Sequence, residues 1–176
     1  MTADKLTTFD VLIEIPRGSR NKYEYDFDIK RMRFDRMLFS SMMYPADYGF
    51  IPETLALDGD PLDVLVLINE PTFPGCVIEV KPIGVFHMAD DKGPDEKIIC
   101  VPVSDPIWNS LNDLSDINGH LLKEIEHFFQ VYKDLENKQV DVEGWGDVNE
   151  AFAIIAECTK RFDDIENKPE GLFSIK

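Results

Sequence analysis

Asp58, Asp60 and Asp63 fall within the six-residue run Asp58-Gly59-Asp60-Pro61-Leu62-Asp63, directly ahead of the uncharged stretch Val64-Leu65-Val66-Leu67-Ile68. Two carboxylates about 5 Å apart repel by roughly 3 kcal/mol at an effective dielectric near 20, so three that converge need protons or cations between them. The chemistry this suggests is cation binding. Carboxylate oxygens suit hard ions such as Mg²⁺, Mn²⁺ or Ca²⁺ rather than zinc. In a straight strand Asp63 would face away from Asp58 and Asp60, but Gly59 and Pro61 bend the chain and can return it to their side. An EF-hand is excluded, because its sixth position needs Gly and is Asp63, and its twelfth needs Glu and is Asn69. An acidic, solvated turn between two strands has the same composition, and both readings stay open on this run alone.

Other segments carry groups that would complement such a cluster. Between Arg17 and Arg36 seven basic residues face four acidic ones, a local balance of +3. Lys22, Glu24 and Asp26 alternate with Tyr23, Tyr25 and Phe27, which predicts a strand with its charges on one face and its aromatics toward the core. The apolar parity then shifts to Met32 and Phe34, so a turn near Asp28 to Arg31 and a hairpin are expected. Such a mixed face is often merely solvated, yet beside a carboxylate cluster it is suited to holding phosphate oxygens. Met42 to Pro52 reads as a loop whose tyrosines either donate to phosphate or cap a core edge. A second acidic turn, Asp90 to Lys97, adds Asp90 and Asp95 if it opens on the same end as the first; otherwise it is a solvated hairpin tip. Glu14 is read as a strand-end residue facing water.

The elements that must position these groups follow from periodicity. Phe9 to Pro16, Val64 to Ile68, Val77 to Val80, Ile83 to Phe86 and Ile98 to Val101 read as strands, with a further short one in Val140 to Trp145. Leu121, Leu122, Ile125, Phe128, Phe129, Tyr132 and Leu135 recur at helical spacing, as do Phe152, Ile155, Cys158 and Phe162. Strands first and helices later predict an α+β fold, a small antiparallel β-barrel with C-terminal helices at its side. At 176 residues the chain is expected to be a single domain, 1–176. A net charge of −16 argues against nucleic acid and anionic membranes as partners. The first residues lack the basic start and apolar core of a leader, and no apolar run approaches a membrane span, so a cytoplasmic location is expected. Cys76, Cys100 and Cys158 read as reduced thiols, and His120 and His127 as ordinary helix residues rather than ligands.

Taken in order, Glu14-Ile15-Pro16, Lys22-Tyr23-Glu24, Asp35-Arg36, Tyr44-Pro45 to Tyr48-Gly49, Asp58 to Val64, Asp90 to Lys97 and Tyr132-Lys133-Asp134 resemble the functional segments of the soluble family I inorganic pyrophosphatases, in their short bacterial form. The resemblance runs from about Phe9 to Phe162. It implies an OB-like five-stranded barrel with flanking helices, hydrolysis of pyrophosphate to two phosphates, several Mg²⁺ ions per subunit with Mn²⁺ able to replace them, and a homohexamer. Carried over by position, Asp58, Asp63 and Asp95 would hold the first metals, and Asp90, Glu14 and Glu24 would complete the sites that form with substrate. Asp60 would act as base on the attacking water, with Tyr48 beside it in the catalytic group. Lys22, Arg36, Tyr48, Lys97, Tyr132 and Lys133 would bind phosphate oxygens. Only Asp91-Lys92-Gly93-Pro94 and the tail after Phe162 depart from the pattern. Two rivals are a non-enzymatic divalent-cation-binding protein and an OB-fold binding single-stranded nucleic acid, and the acidic charge weighs against the second.

Overall fold

The computed structural model describes residues 8–176. Most of the N-terminal segment read above as no leader therefore lies outside the described residues. In chain order the elements are β1 (Phe9–Ile15), β2 (Asn21–Asp26), β3 (Arg31–Met37), β4 (Asp47–Ile51), β5 (Leu62–Val66), β6 (Val77–Asp90), β7 (Gly93–Pro94), β8 (Lys97–Pro102), α1 (Gly119–Val131), β9 (Asp141–Gly146) and α2 (Val148–Asp163).

Five strands close into a ring. β1 pairs with β4, β4 with β5, β5 with β8, β8 with β6, and β6 returns to β1. This is the expected OB-like barrel, with the difference that β5 and β8 run parallel, Asp63 standing opposite Lys97. The composition of these two strands fits that pairing, since parallel neighbours are covered on both faces: every residue of β8 is buried, as are four of the five in β5. Residue parity then divides the core. Leu62, Val64, Val66, Ile98 and Cys100 pack with Ala151, Ile155 and Cys158 of α2, while Leu65, Leu67, Ile99 and Val101 pack with Ile125, Phe128 and Phe129 of α1. Each helix starts at a side-chain cap, Asn118 accepting from the His120 N–H and Asp147 from the Glu150 N–H. The ring closes tightly at β4, where a Cβ on Gly49 would come within 1.9 Å of the Leu12 carbonyl oxygen.

Several expectations are corrected. Met42 to Pro52 is not all loop, because Asp47–Ile51 forms β4; aromatic and glycine residues there look like turn chemistry but fill a barrel strand. The two segments around Lys81-Pro82 are one 14-residue strand, β6, in which a bulge between Pro82 and Gly84 absorbs the missing N–H. The β2–β3 hairpin forms as expected, but as a separate two-stranded sheet: Tyr25 and Phe27 pack on buried Phe50, while Phe34 is 57% exposed. Leu135 lies past α1 in a 3-10 turn and is also exposed. Among the described residues the three cysteines are free, with Cys100 and Cys158 buried, and His120 and His127 are exposed on α1.

Candidate active site

Parallel pairing of β5 and β8 decides where the acids go. Both strands begin at the same end of the barrel, so the acidic turn leading into β5 and the one leading into β8 open side by side. The first turn is fixed from within. Buried Thr54 donates its hydroxyl to the Ile51 carbonyl (2.6 Å) and accepts from the Leu62 N–H (2.9 Å), which ties the end of β4 to the start of β5. Between these points Ala56 N–H donates to the Asp60 carbonyl (2.8 Å) and Asp60 N–H to the Asp58 carboxylate (3.1 Å). Gly59 takes a φ of +94°, a conformation in which an L side chain is strained. From outside, Arg161 of α2 donates to the Leu55 carbonyl at 2.6 Å.

The bend does return Asp63. Asp58, Asp60 and Asp63 line one cavity of about 260 Å³ together with Glu14, Lys22, Glu24 and Tyr48, closed on another side by Tyr25, Phe27, Phe50, Pro61 and Phe173. Glu14 does not face bulk water as expected. A shift of register between Ile13 and Ile15 against β4 lies at this residue, and its carboxylate turns inward to accept from the Tyr25 N–H at 2.7 Å. Burial, opposed by that hydrogen bond and reinforced by Asp63, pushes its pKa up to about 8. The Asp60 carboxyl is also raised, by the protein packed around it and then by Asp58.

Behind this cavity Lys97, only 2% exposed, stands 2.5 Å from both Asp63 and Asp95. Burial opposes its charge, but the two carboxylates outweigh burial and hold it firmly protonated. Asp95 is raised, because burial and then the charges of Asp63 and Asp90 exceed the pull of Lys97. Tyr48 donates its hydroxyl to Asp63 at 2.6 Å, and burial followed by the charges of Asp63 and Asp95 drives its own pKa well up, so it remains a donor. Asp90 lies 3.3 Å from Lys133. Burial works against its ionisation, yet the Lys92 N–H and the Lys133 ammonium prevail and lower it. On the hairpin Lys22 pairs with Glu24 and, at 3.4 Å, with Asp35, which also holds Arg36 at 2.5 Å.

The sequence-derived residues thus fall into two groups. Glu14, Lys22, Glu24, Tyr48, Asp58, Asp60 and Asp63 share the cavity; Asp95 and Lys97 join it through Asp63, and Asp90 joins through its field at Asp95 and Lys97. Arg36, Tyr132 and Lys133 are not in its lining. Tyr132 is 5% exposed and stacks on Phe128 with 5.1 Å between ring centres. Two participants escaped the sequence reading as site residues. Asp35 bridges Lys22 and Arg36, and Glu136, with a 7% exposed side chain, pairs with Arg36 at 2.9 Å. Asp35 had a signal in the Asp35-Arg36 pair; Glu136 had none, since its partner is a hundred positions away.

The lining fits a hard divalent ion, since its possible ligand atoms are carboxylate and phenol oxygens, with no thiol or imidazole. Among the described residues no three His, Cys, Asp or Glu side chains are already gathered as an ion cage; the basic side chains stand between the acids instead.

A closed OB-like barrel with an acidic, lysine-bearing cleft at one end is the class of protein that fold and site define. The family model described as inorganic pyrophosphatase matches residues 11–163. An inorganic pyrophosphatase of Methanosarcina mazei is 61% identical over 154 residues, covering 88% of this chain and 91% of its own, and one of Synechocystis is 51% identical over 90% and 94%. The crystal structure of inorganic pyrophosphatase from Thermus thermophilus superposes with a TM-score of 0.87 at 44% identity, covering 91% of this chain and 94% of that one. The chain belongs to the inorganic pyrophosphatase family, in its soluble family I, bacterial-type branch.

Proposed function

We propose that the chain hydrolyses inorganic pyrophosphate to two orthophosphates with the help of several Mg²⁺ ions. The observation that carries this reading is that five carboxylates and Lys22 line one cavity, with Lys97 bridging two acids on its wall, in a member of this family. Pyrophosphate is a polyanion, so attack by water is opposed by charge. Asp58, Asp63 and Asp95 would hold the first ions, and Asp90, Glu14 and Glu24 would complete the sites with substrate. Ions held there would neutralise the phosphates and lower the pKa of a bound water toward about 7. The Asp60 carboxylate receives the proton of the attacking water, and its raised pKa makes it a stronger base than an exposed aspartate. Tyr48 keeps Asp63 oriented through its 2.6 Å bond. Lys22 binds phosphate oxygens from the cavity wall; Arg36, Lys97, Tyr132 and Lys133 reach them when their present partners are exchanged for substrate.

The same reading takes the chain as one domain acting in the cytoplasm as a homohexamer. Its support is the family pattern and the large apolar side chains left at the surface, among them Phe34, Phe39, Met43 and Phe73. Among the described residues no helix is long and apolar enough to cross a membrane.

Phosphate release from pyrophosphate with Mg²⁺ present tests the activity. Release that stops when a chelator removes the metal is expected. Cation binding without release would favour the non-enzymatic alternative.

A further inference from the structure

The cavity lining draws on β1, the β2–β3 hairpin, β4 and the acidic turn into β5, with one exception: Phe173, from the segment 164–176 that follows α2. The matched family region ends at residue 163, so this wall is supplied from outside it. We propose that segment 164–176 clamps the hairpin against the acidic turn, with Phe173 as the positioning residue, and thereby holds Lys22 and Glu24 in place; the catalytic consequence rests on the function proposed above.

Among the described residues the hairpin shares no backbone ladder with the barrel. Side chains must therefore hold it. Near the turn end of β2, Glu14 accepts from the Tyr25 N–H. At the turn itself the fastening is aromatic: the Phe27 ring lies 5.5 Å from that of buried Phe50 and 5.2 Å from that of Phe173. Phe173 in turn lies 6.1 Å from Phe162 at the end of α2. Its carbonyl accepts from the Glu53 N–H (3.1 Å), at the head of the loop that carries Asp58 and Asp60. Lys30 in the hairpin turn donates to the Lys176 carbonyl at 3.0 Å. At the other end of the segment, Lys168 sits 3.9 Å over the Phe162 ring and donates to the Phe162 carbonyl at 3.2 Å. Phe173 also takes a φ of +51°, a backbone conformation that a bulky aromatic adopts only when its surroundings impose it. One residue thus links the hairpin, α2 and the acidic loop.

Loosening the clamp would let the hairpin leave the cleft for part of the time. Apparent affinity then falls by the fraction of time that the arm is in place, while turnover of the assembled complex is preserved. The test compares the unaltered chain with Phe173→Ala and Phe173→Leu, by amide hydrogen exchange resolved over residues 21–37 and over α1, and by steady-state hydrolysis of magnesium pyrophosphate. Loss of the ring contacts of Phe173 with Phe27 and Phe162 is expected to speed exchange over 21–37 by roughly tenfold, leaving α1 unchanged. KM is expected to rise by 1/f, where f is the fraction of time the arm is in place as exchange protection over 21–37 reads it, with kcat within about twofold, and Leu to restore part of the protection. Unchanged exchange over 21–37, equal acceleration in α1, or a KM that departs from the rise set by the measured f would each overturn the proposal. If the unaltered chain hydrolyses no pyrophosphate, the exchange result still decides the clamp, and it is the proposed function that falls.

Discussion

Glu14 and Lys97 show how single side chains set the electrostatics of the cleft. The Glu14 carboxyl is raised from 4.5 to about 8, mainly by burial, so folding favours its neutral form. The stability from this group is complete below the unfolded value of 4.5 and is lost as pH rises through about 8. Glu14→Gln keeps an acceptor for the Tyr25 N–H and removes the buried charge. With divalent ions chelated, it should be more stable than the unaltered chain at pH 9, by up to about 5 kcal/mol, and equal to it near pH 4. Denaturant unfolding across pH checks this. Lys97 is the opposite case. Lys97→Met leaves Asp63 and Asp95 facing each other without their shared cation, a loss of about 3–5 kcal/mol. Chemical denaturation at neutral pH measures it, and a loss below about 1 kcal/mol would mean that the two acids are solvated rather than held by Lys97.

At the scale of elements, the barrel is what brings remote acids together. Gly49→Ala would drive a methyl group into the Leu12 carbonyl on the neighbouring strand, and backbone on both sides leaves nothing flexible to yield. A loss of about 3 kcal/mol or more is expected, read from the thermal unfolding midpoint. Much of this architecture was legible in the chain. Val64 to Ile68 and Ile98 to Val101 announce buried strands, and the three- and four-residue spacing of Leu121 to Tyr132 and Phe152 to Phe162 announces the helices. The bend at Gly59 and Pro61 told that Asp63 could rejoin Asp58 and Asp60. What could not be read was strand order: periodicity says which face of β5 and β8 is apolar but not that the two lie side by side and parallel, on which the meeting of Asp63 with Asp95 depends. Nor could local pattern show the inward turn of Glu14, which comes from a bulge, or the contact of Arg36 with Glu136, which joins β3 to the turn after α1. Phe173 was invisible for a similar reason, since a phenylalanine in a polar tail says nothing about where the tail docks.

For the molecule as a whole, charge and exposed apolar surface pull in different directions. A net charge of −16 favours solubility and attracts divalent cations. Filling the cleft with Mg²⁺ at a hundred times its dissociation constant should stabilise the fold by about 2.7 kcal/mol per site, visible as a rise in unfolding midpoint that Na⁺ at equal ionic strength does not reproduce. Exposed Phe34, Phe39, Met43 and Phe73 call for covering. Light scattering should report a particle of about 120 kDa, six times the 20.2 kDa chain; a mass of 20.2 kDa at micromolar concentration would refute the hexamer.

The most direct measurement for the central claim is a crystal structure of the protein grown with Mg²⁺. The account predicts hexacoordinate ions shared among Asp58, Asp63 and Asp95, with the Lys97 ammonium moved from between Asp63 and Asp95 toward the open cleft. Aspartates still paired only with lysines, and no ion among them at saturating Mg²⁺, would contradict it.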